Sequence, residues 1–195
     1  MSKNKYILPF NGVWFVEYGG WKKENSHSWD IIPQRYAYDF EIRENNLPYH
    51  DDYKKLENYY SYLEDVLCPC SGFVIDVCDL YSDTKIYDGR ARKCDSDDLR
   101  GNYVTIKHRY GEYSTICHFK EKTITVKIGD VVEEGQILGK VGNSGNTEGP
   151  HIHFQVQQGA DFNFSPGVKI TFKNVYSGRK KVRKVEKNMY VYTKK

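Results

Sequence analysis

"VKIGDVVEEGQILGKVGNSGNTEGPHIHFQV", residues 126–156, decides the fold of this 195-residue chain. Apolar runs such as "QILGKVG" and "HIHFQVQ" are separated by Gly, Asp and Asn, the residues that tight turns require. In an extended strand side chains alternate faces, so His151 and His153 lie on one face and Ile152 on the other. Imidazole is the commonest metal ligand and the commonest acid or base near neutral pH. A lone pair of histidines on an exposed strand face satisfies the same pattern, so the rest of the chain has to separate the two readings.

Outward from this stretch the pattern repeats. "VWFVE", "RYAYDFEI", "GFVIDVCD", "NYVTIKH", "EYSTICHF", "TITVKIG" and "VKITFK" follow one another about every ten residues. Aromatic residues make up 15% of the chain, with 17 tyrosines, a composition that favours strands over helices. The expected fold is mainly β, an antiparallel two-sheet sandwich or partly open barrel. One segment departs from this. In "DDYKKLENYYSYLEDVL", Tyr53, Leu56, Tyr60, Leu63 and Leu67 recur at helical spacing, between the Asp51–Asp52 pair and Pro69. That stripe predicts one inserted helix around residues 51–67. Repeats and low-complexity linkers are absent, so the reading is a single domain over residues 1–195. Its core covers about 27–157, with an N-terminal lead-in strand and a basic C-terminal β extension over 167–195.

The formal charge of +3 is unevenly spread. Residues 178–195 hold eight Lys/Arg and one Glu, leaving a body with 21 basic and 25 acidic residues, near −4. A basic tail is suited to contact with a polyanion such as nucleic acid, teichoic acid or a membrane surface, and equally to a solvated terminal strand. Val182, Val185, Met189 and Val191 among the charges predict that part of it packs on the body. No stretch approaches the roughly 18 apolar residues of an integral membrane helix. Pro9, Asn11, Gly12 and Glu17 interrupt the N-terminus, so no secretory signal peptide is expected. The implied location is cytoplasmic as made, or outside by another export route. Five cysteines give no closed disulfide framework. Cys68 and Cys70 are too closely spaced for a zinc knuckle and read as buried residues entering a turn. Cys78, Cys94 and Cys117 read as core or surface thiols.

The six histidines are His27, His50, His108, His118, His151 and His153. His118 ends the strand "EYSTICHF", close in sequence to the strand carrying the His pair. If those strands are neighbours, three imidazoles converge. Unpaired buried ring nitrogens cost free energy, so such a cluster is hard to justify for stability and easy to justify as a metal site with acid–base helpers. The candidate carboxylate is Asp39 in "QRYAYDFEI", an acid in a strand otherwise fit for burial. A salt bridge to Arg35 or Arg43 is the competing explanation.

Taken in order, "CPCSGFVIDV", "YVTIKHRYGEYSTICHF" and the 126–156 hairpin series ending in "GPHIHF" resemble the core of the lysostaphin-like (LytM-type) zinc endopeptidases. The likeness covers roughly residues 36–157. It implies a fold of the lysostaphin-like type with a barrel-sandwich core, and a zinc-dependent peptidase acting on peptidoglycan stem or cross-bridge peptides. It makes Asp39 and His153 ligands of Zn2+. His118 and His151 become the pair that orients the attacking water and steadies the oxyanion. The family places its first ligand His four residues before the Asp, where this chain has Arg35, which stays protonated and cannot ligate. His27, in "KENSHSWD", is the expected replacement, with His50 as the alternative and Arg35 left to bind a substrate carboxylate or support Asp39. Gly142, Gly145 and Gly149 suit close backbone approach to a ligand. Trp29, Tyr36 and Tyr38 are candidate groove walls.

Two other functions compete. A degenerate member of the same family would keep the fold as a regulator or wall-binding module without catalysis. The "VKIGDVVEEGQILGKVG" hairpins also resemble lipoyl or biotinyl carrier domains. Those need an exposed lysine at a hairpin tip, which is missing here, and have no use for a histidine pair.

Overall fold

The computed structural model of the protein describes residues 1–87, 91–92 and 97–194. Cys94 lies outside them, as does Lys195 at the end of the basic extension. The strands are β1 (Trp14–Tyr18), β2 (Tyr38–Glu41), β3 (Asp65–Leu67), β4 (Gly72–Cys78), β5 (Ile86–Tyr87), β6 (Ala91–Arg92) and β7 (Tyr103–Lys107). They continue with β8 (Tyr113–Cys117), β9 (Val131–Val132), β10 (Ile137–Lys140), β11 (Ile152–Gln157), β12 (Val175–Ser177), β13 (Lys180–Lys181) and β14 (Tyr190–Thr193). Ten of them form one sheet in the order β13-β12-β14-β1-β2-β11-β8-β7-β4-β9, and β3–β10 and β5–β6 form two-stranded ribbons. Every pairing between these described strands is antiparallel. The mainly β, antiparallel expectation is met.

Alternation explains which face is core. Tyr38 and Phe40 of β2, Ile116 of β8, and Ile152, Phe154 and Val156 of β11 point to one side. They join Val66, Cys68, Leu138 and Val141 from the β3–β10 ribbon and its flanks in a single hydrophobic cluster. Asp39, Glu41, Cys117 and His153 therefore point to the other side. All six residues of β11 are buried, so the strand is covered on both faces. The C-terminal extension is part of the same sheet, with Trp14 of β1 paired to Val191 of β14. Val185 and Val191 enter the core and Val182 and Met189 pack against it, as their spacing predicts. Arg179, Lys180, Lys181, Arg183 and Lys184 stay exposed.

The helix expected around residues 51–67 does not form. A single 3-10 turn at Leu56–Asn58 is followed by strand β3. Of the helical stripe, Leu63 is left exposed with a φ of 66°, and only Leu67 is buried. The inward residues are instead Tyr59 and Ser61, at strand spacing. Tyr59 bridges Tyr49, and the Ser61 hydroxyl oxygen accepts the Ile42 N–H at 2.7 Å. Partners distant in sequence outweigh the local period here.

Candidate functional site

Strands β2 and β11 are neighbours, and their register sets Asp39 directly opposite His153. Asp39 Oδ1 lies 2.8 Å from His153 Nδ1, and Asp39 Oδ2 lies 3.0 Å from His27 Nε2. His151 Nε2 stands 3.7 Å from Asp39 Oδ1. Burial disfavours the charged form of Asp39, but the charge and hydrogen bond of His153, then those of His27, outweigh it. The carboxyl is held well below its usual range. Burial likewise works against an imidazolium at His153, yet the neighbouring Asp39 charge and hydrogen bond move its pKa upward.

His27 arrives on a loop, as its polar surroundings suggest. The loop is bracketed by 3-10 turns at Lys23–Asn25 and Ile32–Gln34. Arg35 closes it, with its Nε–H donating to the Trp29 carbonyl at 2.8 Å and its guanidinium over the Trp29 ring at 5.2 Å. Arg35 therefore neither pairs with Asp39 nor lines the cavity, and its contacts tie down the loop that carries His27. His50 is half exposed, with Nδ1 3.0 Å from Asp51, away from the cluster. His108 is buried between the Ser71 carbonyl and the Ser114 hydroxyl, on the core side of the sheet.

His118 joins the cluster by a route that simple alternation hides. On a continuing strand it would share the face of Ile116 and enter the core. Its φ of 68° is left-handed, which ends β8 and turns the imidazole to the other side. Its ring centroid lies 4.8 Å from that of His151 and 6.0 Å from that of His153. Backbone carbonyls set the tautomers of both rings. His118 Nδ1 is 2.8 Å from the Ser144 oxygen, and His151 Nδ1 is 2.8 Å from the Gly149 oxygen. A carbonyl only accepts, so each Nδ1 carries a proton and each neutral Nε2 carries a lone pair. Burial, then the neighbouring imidazoles, pull the His118 pKa well below the ordinary value, and burial lowers that of His151.

These side chains floor a cavity of about 600 Å³. Its walls include Tyr18, Glu41, Arg43, Tyr59, Arg100 and Phe162. Arg43 bridges the carboxylates of Glu17 and Glu41. Burial pushes Glu41 up to about 7, against the pull of Arg43. On the other side the Arg100 guanidinium lies over the rings of Tyr103 at 3.5 Å and Phe162 at 4.8 Å. The aromatic walls are not those anticipated. Tyr38 stacks on Phe40 in the core, and Trp29 and Tyr36 pack on each other outside the cavity. Two glycines shape the rim. A Cβ on Gly145, whose φ is +82°, would lie 2.4 Å from the Gly101 nitrogen, and one on Gly149 would lie 2.7 Å from the Tyr59 ring.

Stretches of this chain resemble known proteins. An uncharacterised metalloprotease of Buchnera aphidicola is 43% identical over 56 residues, 29% of this chain and 14% of that protein. The peptidoglycan DD-endopeptidase ShyC of Vibrio cholerae is 34% identical over 68 residues, 35% of this chain and 15% of the relative. Those matches thus span about a seventh of the curated relatives. A zinc-containing peptidase from Vibrio cholerae shares the fold, with a TM-score of 0.50 and 19% identity over 85% of this chain and 40% of that one. The family model for peptidase family M23 matches residues 64–164, slightly more than half the chain and a stretch that includes three of the clustered histidines, so this protein belongs to peptidase family M23.

Proposed function

We propose that the protein is a zinc-dependent endopeptidase that hydrolyses peptide bonds in peptidoglycan stems or cross-bridges. The observation that carries this reading is the convergence of His27, Asp39 and His153. Their ligand atoms all lie within 4.8 Å of one another, the one such group among the described residues. The donor set fits a divalent cation. Asp39 is 8% exposed and its charge faces imidazoles rather than Lys or Arg. Two imidazoles and one carboxylate match the three-ligand sets of catalytic zinc sites, which keep a position open for water or substrate. The names of the curated Vibrio cholerae relatives support the cell-wall substrate.

Zinc bound there would supply Lewis acidity toward a scissile carbonyl and make water acidic enough to attack near neutral pH. The remaining chemistry belongs to His118 and His151. Their Nδ1 protons are engaged by backbone carbonyls, so only Nε2 is free to act, and in the neutral ring it is a base. One ring takes the proton of the attacking water at Nε2 and becomes a donor only then. From the same atom it can steady the developing oxyanion or pass the proton to the departing amine. Both rings are built as bases first and donors second, and their lowered pKa values keep them neutral at pH 7. A polyanion contact through the exposed basic residues of the C-terminal extension is part of the same proposal, supported by their charge.

The test is metal content together with hydrolysis of defined muropeptides, followed by mass spectrometry. About one zinc per chain, cleavage within a stem or cross-bridge, and loss of cleavage in His151→Ala and with a chelator are expected. A protein that takes up no zinc, or binds it without cutting any such peptide, would refute the proposal.

A further inference from the structure

The face of β11 that carries His151 and His153 continues into Gln155 and Gln157, both 1% exposed. Their amides form a chain whose direction is fixed at its far end. Gln157 Nε2 lies 3.0, 3.1 and 2.9 Å from the carbonyl oxygens of Asp161, Phe162 and Ser165. Carbonyls only accept, so the Gln157 NH2 must face them and its Oε1 must face Gln155. That oxygen accepts from Gln155 Nε2 at 3.0 Å, which turns Gln155 Oε1 toward His153 Nε2 at 2.9 Å. An acceptor at that distance requires a proton on Nε2. In the neutral ring Nδ1 then holds the lone pair, and Nδ1 is the atom that faces Asp39.

Reversing the chain is costly. A lone pair on Nε2 would need both amides to flip, which would set Gln157 Oε1 against three carbonyl oxygens in a buried site. We propose that Gln155 and Gln157 are positioning residues for the metal centre. Three carbonyls of loop 161–165 polarise the relay, and the relay makes His153 an Nδ1 ligand. The inference rests on reading His27, Asp39 and His153 as metal ligands. It also ties the metal site to the cavity wall, because Phe162 stands on the same loop and stacks on Arg100.

The test combines zinc affinity, by competition with a chelator, and 1H–15N NMR of the His153 ring in the full chain. Wild type should carry its His153 proton on Nε2, in slow exchange. Gln155→Met, which keeps the length and loses the acceptor, should lose that signal and bind zinc about 10–100-fold more weakly. Gln157→Met leaves Gln155 free to flip and should populate both tautomers. An unchanged tautomer and zinc affinity in a folded Gln155→Met protein would overturn the proposal. So would a wild-type ring bound through Nε2. If Gln155→Met does not fold, the wild-type spectrum and Gln157→Met decide. If wild type takes up no zinc, the peptidase reading falls, while the position of the His153 proton still supports or overturns the relay.

Discussion

Replacing His27 by alanine tests the least expected part of the centre. His27 Nε2 lies 3.0 Å from Asp39 and its loop is held by Arg35, so the imidazole is brought to the site rather than passing near it. A residue one hydrogen bond removed from a metal typically changes affinity 10–100-fold when mutated. A direct donor should therefore cost more than about 100-fold, or above about 2.8 kcal/mol at about 1.4 kcal/mol per factor of ten. The alanine variant leaves Asp39 with His153 and His151 and does not touch the hydrophobic core, so the melting temperature of the metal-free protein should move little. Zinc affinity by chelator competition reads the effect, with His50→Ala as the control, because His50 contacts Asp51 at the surface. A His27→Ala protein that binds zinc within tenfold of wild type, or a His50→Ala protein that does not, would refute the assignment.

Arg35→Ala should release the loop at Trp29 and weaken zinc binding about tenfold with the fold intact, measured in the same titration. Gly145→Ala should destabilise by well over 1 kcal/mol, because a left-handed φ is combined with backbone 2.4 Å away. Gly129→Ala, with a φ of +93° and nothing within 4 Å, isolates the conformational share, and equal melting temperatures for the two would contradict the packing argument. Glu112 accepts hydrogen bonds from the Ser2, Asn4 and Tyr6 side chains and the Lys3 amide. Burial raises its pKa, but these bonds outweigh that and leave it below the ordinary 4.5. Its contribution is thus complete above pH 4.5 and is lost as pH falls through the lowered folded value. Urea melts of Glu112→Gln should show a deficit of about 1.5–3 kcal/mol at pH 7 that shrinks below pH 4.5. A pH-independent deficit would contradict the linkage.

The centre was legible where strand alternation is obeyed. His151, His153 and Asp39 share a face because each sits in or beside a regular strand, and the hairpin series around them is dense in turn residues. His118 was found by its position at a strand end, yet the conformation that delivers it, a left-handed backbone at a non-glycine residue, leaves no mark in the pattern. His27 and Asp39 fall outside the stretch matched by the family model, so the expectation that a loop histidine stands in for the position held by Arg35 rests on the resemblance of "QRYAYDF" and its upstream histidine, not on that match. Residues 51–67 misled because their leucines and tyrosines recur at helical spacing while their backbone hydrogen bonds divide between isolated three-residue turns and distant partners such as Val141 and Pro9. Tyr59, which the helical stripe leaves out, lines the cavity. Gln155 and Gln157 were open to a reading from "HIHFQVQ", since they continue the histidine face at every second position.

Asp39 and His153 touch across neighbouring strands although 114 residues separate them in the chain. A ribosome must add all of β3 to β11 after Asp39 before that contact can exist. Until then the emerging polypeptide holds a carboxylate and a loop histidine without their third member. Hydrolytic capacity on this reading belongs only to the nearly complete sheet, and a growing or truncated chain that stops short of β11 is chemically harmless to its surroundings.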